Sequence, residues 1–131
     1  MGSIKSFKDI KAWQAGILLV REIYIASQNG PFSRDFALRD QIRKAVLSIP
    51  SNIAEGFERE GNKEFIQFLT VAKGSTGEVQ TQLRIAWEVG YITEEDFKRM
   101  DDICTEVINM ISGFLRYLRS TKISGNKFNR K

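Results

Sequence analysis

Seven apolar residues near the C-terminal end recur in two interleaved seven-residue rows. Phe97, Cys104, Ile111 and Leu118 form one row, and Met100, Val107 and Phe114 the other. Such rows lie along one face of an α-helix and make the seam by which it packs on neighbouring helices. A strand would alternate every second residue, and no window of this chain does so convincingly. The repeat commits this segment to a helix and requires the rest of the chain to supply helices for it to pack on.

Three further helices are predicted. The first has Ser6 as N-cap with Asp9 in its first turn. Its core face is Phe7, Ile10, Trp13, Ile17, Val20 and Tyr24, and Asn29-Gly30-Pro31 ends it, Gly and Asn supplying a left-handed C-cap. Ser33 caps the second, whose face is Leu38, Ile42, Ala45, Ile49, Ile53 and Phe57, ending near Gly61. The third runs from Asn62 to about Gly90 with Phe65, Phe68, Leu69, Ala72, Val79, Leu83, Ala86 and Trp87 on one side. Thr93 caps the fourth, with Glu94, Glu95 and Asp96 in the positive first turn and Ile92 placed to staple against Phe97. Four helices with three short connections predict an all-α fold, an antiparallel up-down-up-down four-helix bundle over residues 1–120. Residues 121–131 are expected to be a basic, fraying tail. With 131 residues the chain is long enough for one domain with a real core. Ile103, Met110 and Tyr117 on the last helix, and Leu18 and Ile25 on the first, fall off the main seams. They fit either a second neighbour within one bundle or a contact between subunits.

The least ordinary stretch is Ser48-Ile49-Pro50-Ser51-Asn52-Ile53-Ala54-Glu55-Gly56-Phe57, in the middle of the second helix. Pro50 lacks the N–H that would bond the Val46 carbonyl, so a kink is expected. Gln41, Ser48, Asn52, Glu55 and Arg59 share a polar face beside the apolar one. On the third helix Gly74 and Gly77 cost about 1 kcal/mol each relative to alanine, which suggests close approach by another backbone. The natural partner is the Ser48–Gly56 stretch, and Asn52, Glu55, Arg59 and Glu78 would then form a polar network that fixes helix register. A catalytic pocket around Glu55 and Glu78 is the competing reading, but two carboxylates alone are weak evidence for acid/base chemistry.

The chain has no histidine. That removes Ser-His-Asp and Cys-His nucleophiles, a His general base, and His-based zinc or di-iron centres. No catalytic residue, metal or cofactor is expected. A single cysteine, Cys104, suits a reducing compartment. Apolar runs such as Ile17-Leu18-Leu19-Val20 fall far below the ~20 residues of a membrane span, so the expected location is the cytoplasm. Charge is uneven. The chain through Glu106 carries a balance of −2, whereas Arg116, Arg119, Lys122, Lys127, Arg130 and Lys131 follow with no acid at all. These six are candidate contacts for phosphate backbone, or simply a solubilising end with cations at a helix C-terminus.

The pattern Leu38-x-x-Gln41-Ile42-x-x-Ala45-x-x-Ser48-Ile49-Pro50-x-Asn52-Ile53-Ala54-Glu55-Gly56, then Arg59, then Glu64-Phe65-x-x-Phe68-Leu69-x-x-Ala72-x-Gly74-Ser75-x-x-Glu78, resembles a known bacterial family. Its members are small four-helix bundle proteins first noticed as reading frames within intervening sequences of large-subunit ribosomal RNA genes. The resemblance implies a bundle assembling as a ring-like homopentamer. It also implies kinship with the accessory protein of diversity-generating retroelements, which binds its reverse transcriptase and has a basic, nucleic-acid-binding surface. No catalytic residues come with the family. The expected function is a non-enzymatic, oligomeric binding protein that meets RNA or DNA through its basic C-terminal surface. The alternative is an interaction scaffold or accessory subunit for a nucleic-acid enzyme such as a reverse transcriptase.

Overall fold

The computed structural model describes residues 4–121. A 3₁₀ turn at Phe7–Asp9 precedes five helices: α1 (Lys11–Ala26), α2 (Gly30–Arg34), α3 (Phe36–Glu58), α4 (Asn62–Glu88) and α5 (Glu94–Ser120). Among the described residues there is no strand. Among the described residues no helix is long and apolar enough to cross a membrane.

The long helices pack as a helical bundle in which α3 meets α4, α4 meets α5, and α1 lies against α3 and α5. Residue numbers along each pair run in opposite senses. Gly16 faces Ile49 and Pro50, whereas Ser27 bonds Arg43. Ser48 bonds Ser75, whereas Gly56 faces Phe65 and Phe68. Gln80 bonds Asp101, whereas Trp87 stacks on Phe97 with ring centroids 4.8 Å apart.

The two seven-residue rows of α5 form its buried side. Met100, Cys104, Val107, Ile111, Phe114 and Leu118 are all interior, and Phe97 is partly so. Burial pushes the Cys104 thiol up from its ordinary 9.0 to about 12, with a smaller contribution from the Asp101 carboxylate. Most of the predicted faces of α3 and α4 are likewise interior, with Leu38, Phe68 and Trp87 only partly buried, and they are joined by Val46, Pro50 and Gly56 on α3 and by Thr76 on α4. α3 continues as one helix past Pro50. Gly61 and Gly90, at φ +94° and +85°, close the turns before and after α4, where a residue without Cβ is unstrained.

The beginning of the chain departs from expectation in four respects. Ser6 does cap, accepting from Lys8 N while Asp9 turns back on Ser6 N, but the capped element is the single 3₁₀ turn. Extended backbone at Ile10 then separates it from α1. Gly30-Pro31 starts α2 rather than ending α1, because a proline in a helix's first turn has no N–H to lose. Asp35, not Ser33, caps α3: its Oδ1 accepts from Leu38 N at 3.1 Å and its Oδ2 from the Tyr91 hydroxyl at 2.8 Å. Both bonds favour the ionised form and hold the Asp35 carboxyl below its usual range, the Leu38 bond more strongly.

The fourth departure is the rotation of α1. Ala12, Gly16, Leu19 and Ile23 face inward, whereas Ile17, assigned to the core by spacing, is exposed. The reason is steric. A Cβ on Gly16 would already meet Ile49 Cγ2 at 3.3 Å and Pro50 Cδ at 3.4 Å, so this helix approaches α3 closely through its smallest residues.

Candidate nucleic-acid interface and the polar seam

Arg116 and Arg119 lie three residues apart on the last turns of α5, and both side chains are exposed. Neither belongs to an ion pair among the described residues. The carbonyl end of a helix favours cations nearby, so this position costs little to maintain. The other predicted cations, Lys122, Lys127, Arg130 and Lys131, lie outside the described residues.

Folding adds cations that spacing did not single out. Lys11 and Ala12 share a cleft of about 430 Å³ with Asn109, Met110, Gly113 and Phe114. The start of α1, with exposed Lys5, Lys8 and Lys11, therefore lies at the same end of the bundle as Arg116. The α3–α4 turn is at that end too, because Phe114 packs edge-on against Phe65 at 5.3 Å and Phe65 against Phe57 at 5.9 Å. That turn carries Glu58, Glu60 and Glu64. Asp9 stands among those lysines, and Arg59 and Lys63 among those glutamates, so the α1–α5 side of this end keeps an excess of positive charge and the α3–α4 side a slight excess of negative.

The structure divides the six residues of the predicted polar seam. Ser48 and Asn52 meet across the helix pair with Ser75: the two hydroxyls lie 2.8 Å apart, and Asn52 Nδ2 donates to Ser48 O at 2.7 Å and Ser48 Oγ at 2.8 Å. Gln41 is exposed on the same helix. Glu55 and Arg59 pair with each other at 2.7 Å on the surface, and that bond above all holds the Arg59 guanidinium proton more firmly than usual. Glu78, also exposed, accepts from Gln82 Nε2 at 3.3 Å. The network foreseen among Asn52, Glu55, Arg59 and Glu78 is therefore three separate local arrangements, because these side chains leave α3 and α4 at different angles. Neither glutamate lines the cleft beside α5 or the shallow one around Gln80 and Phe97. Among the described residues no group of three His, Cys, Asp or Glu side chains gathers as metal ligands.

Close approach of α3 and α4 does occur, but at a different glycine. A Cβ on Gly56 would sit 2.6 Å from Phe68 Cβ and 3.0 Å from Phe65 Cδ1. Arg59 then lies over the Phe68 ring, its guanidinium 5.1 Å from the centroid. At Gly74 and Gly77 a Cβ would meet nothing within 4 Å. The expectation of contact there fails because both residues turn away from α3. The signal that could have found Gly56 is its place three residues after Ile53 on the apolar face.

The Ser48–Gly56 stretch, Phe65 and Phe68 thus form one interlocked surface, and they are the residues that carried the family resemblance. A family model described as 23S rRNA-intervening sequence protein matches residues 8–113. The chain belongs to this family. A crystal structure of a protein of unknown function from the S23 ribosomal protein family of Bacteroides thetaiotaomicron is similar to it, with a TM-score of 0.74. The alignment covers 80% of this chain and 98% of that one at 21% identity, a likeness of fold alone. Among curated proteins none matches. In this 23S rRNA-intervening sequence family member, the signature residues account for packing between α3 and α4.

Proposed function

We propose that this family member is a non-enzymatic, oligomeric binding protein that grips nucleic-acid backbone, RNA in the first instance, through the cationic side of its α5 end. One observation carries the reading: Arg116 and Arg119 stand exposed without carboxylate partners among the described residues, with Lys5, Lys8 and Lys11 at the same end. Guanidinium and ammonium groups presented this way bind phosphates without reading sequence. The opposed numbering of the helix contacts supports an antiparallel up-down-up-down four-helix arrangement. The family resemblance supports a ring-like homopentamer, in which the cationic ends of the copies would gather on one rim. A reducing, cytoplasmic setting suits the single buried thiol.

The test is a titration of single-stranded RNA across a range of salt. Affinity should fall steeply as salt rises, and Arg116→Glu with Arg119→Glu should weaken binding and flatten the log–log slope by about 1.4 for two lost phosphate contacts. Unchanged affinity and slope would defeat the assignment. The accessory-subunit reading, with a nucleic-acid enzyme such as a reverse transcriptase as partner, draws on the exposed apolar side chains of α1 and α4. Its test is a complex that survives nuclease treatment.

A further inference from the structure

Two helix faces carry large apolar side chains on the outside. On α1 these are Ile17, Leu18 and Ile25, and on α4 Val71 and Ile85 with Val89 just past its end, each between 42% and 56% exposed. Both sets are helically coherent. Positions 17, 18, 21 and 25 fall within one arc of α1, while 71, 78 and 85 are spaced by seven along α4. Each face has one charge at its centre, Arg21 on α1 and Glu78 on α4, and neither belongs to an ion pair among the described residues. The charges are opposite. Gly74, one turn before Glu78, leaves the α4 face open to a close neighbour.

These faces cannot satisfy one another within a single chain. α1 and α4 each pack on α3 and α5, which puts them across the bundle from each other and turns their outer faces to different sides. A second copy can bring them together. We propose that the outer face of α1 in one copy docks on the outer face of α4 in the next, with Arg21 against Glu78 and the six apolar residues packed around that pair. Arg21 would then lose water only where a carboxylate replaces it, and the apolar residues would leave solvent altogether. Because the two surfaces differ, the contact is heterologous: it repeats from copy to copy and ends only when a ring closes. This inference rests on the self-association reading above and adds to it which faces meet.

The test uses two variants of the full chain. Leu18→Asp with Ile25→Asp disables the α1 face, and Val71→Asp with Ile85→Asp disables the α4 face. All four residues are exposed, so each variant should keep its helical circular dichroism. By light scattering the wild type should assemble and each variant alone should be monomeric. An equimolar mixture of the two should give a dimer, since one intact α1 face and one intact α4 face remain. Arg21→Glu and Glu78→Arg should each weaken assembly at least tenfold, and the chain carrying both should recover it. A wild type that stays monomeric overturns the self-association reading along with this one. Variants that assemble like the wild type overturn the face assignment alone, as does a mixture that stays monomeric. Assembly only in the presence of RNA or another protein would give these faces to that partner and overturn the proposal.

Discussion

α5 and α1 meet the rest of the bundle in different ways. α5 fills volume: Met100, Ile111, Phe114 and Leu118 point inward, and polar residues occupy most of its remaining positions. α1 instead comes close. Ala12 and Gly16 share its inner face with Leu19 and Ile23, and apolar side chains of comparable size stand outside on Ile17, Leu18 and Ile25. The orientation of α5 follows from hydrophobicity, whereas that of α1 follows from fit. Swapping its two apolar arcs would gain little burial and would push branched side chains into Ile49 and Pro50.

The largest effect expected from this contrast is kinetic. With its pKa raised from 9.0 to about 12, the Cys104 thiolate is about a thousandfold scarcer than that of a free thiol, and the side chain is also enclosed. Alkylation of native protein near pH 8 should be at least that much slower than in denaturant, and rapid native labelling would show the α5 seam to be open. Since folding raises this pKa, the folded state holds the proton more tightly. The associated stability is complete below pH 9 and is lost as pH rises from 9 toward 12.

Truncation should separate the helices next. Ile111→Ala removes a fully buried side chain and should cost about 2–5 kcal/mol in urea unfolding, against less than about 0.5 kcal/mol for Ile17→Ala in the dispersed chain. Equal costs would mean that α1 is not rotated as described. Glycines give the third comparison. Gly56→Ala must displace Phe68 and should destabilise by about 1–3 kcal/mol. Gly74→Ala, with open space around it, should stabilise the dispersed chain by about 0.5–1 kcal/mol. The smallest effect is at the seam: Ser48→Ala should cost about 1 kcal/mol by taking the hydroxyl partner from Ser75 while Asn52 keeps the Ser48 carbonyl, and Glu78→Gln should leave stability within about 0.5 kcal/mol.

Much of this fold was legible in the sequence because periodic burial is a property of single helices. The α5 rows, the inner faces of α3 and α4, the Thr93 cap and the start of α4 at Asn62 all follow from local spacing. Features that depend on a partner were not legible. Gly16 and Gly56 are defined by what faces them, whereas Gly74 and Gly77 looked like packing glycines with nothing opposite. An apolar helix with two candidate faces, such as α1, cannot be oriented without its neighbours. At the candidate site, Arg116 and Arg119 stood out because no acid follows Glu106. Lys5, Lys8 and Lys11 did not, since more than a hundred positions separate them from Arg116 in sequence and only the return of the chain brings them near.

Asp35 ties together segments distant in the chain: one carboxylate oxygen holds the first turn of α3, the other the Tyr91 hydroxyl beyond the end of α4, where Phe32 stacks on the Tyr91 ring at 5.5 Å. Hydrogen exchange should register that link. The Leu38 amide, third in a helix whose first turn would ordinarily fray, should exchange only in openings that also free Tyr91. Replacing the tyrosine hydroxyl with hydrogen should let this amide exchange faster while amides in the middle of α5 keep their protection.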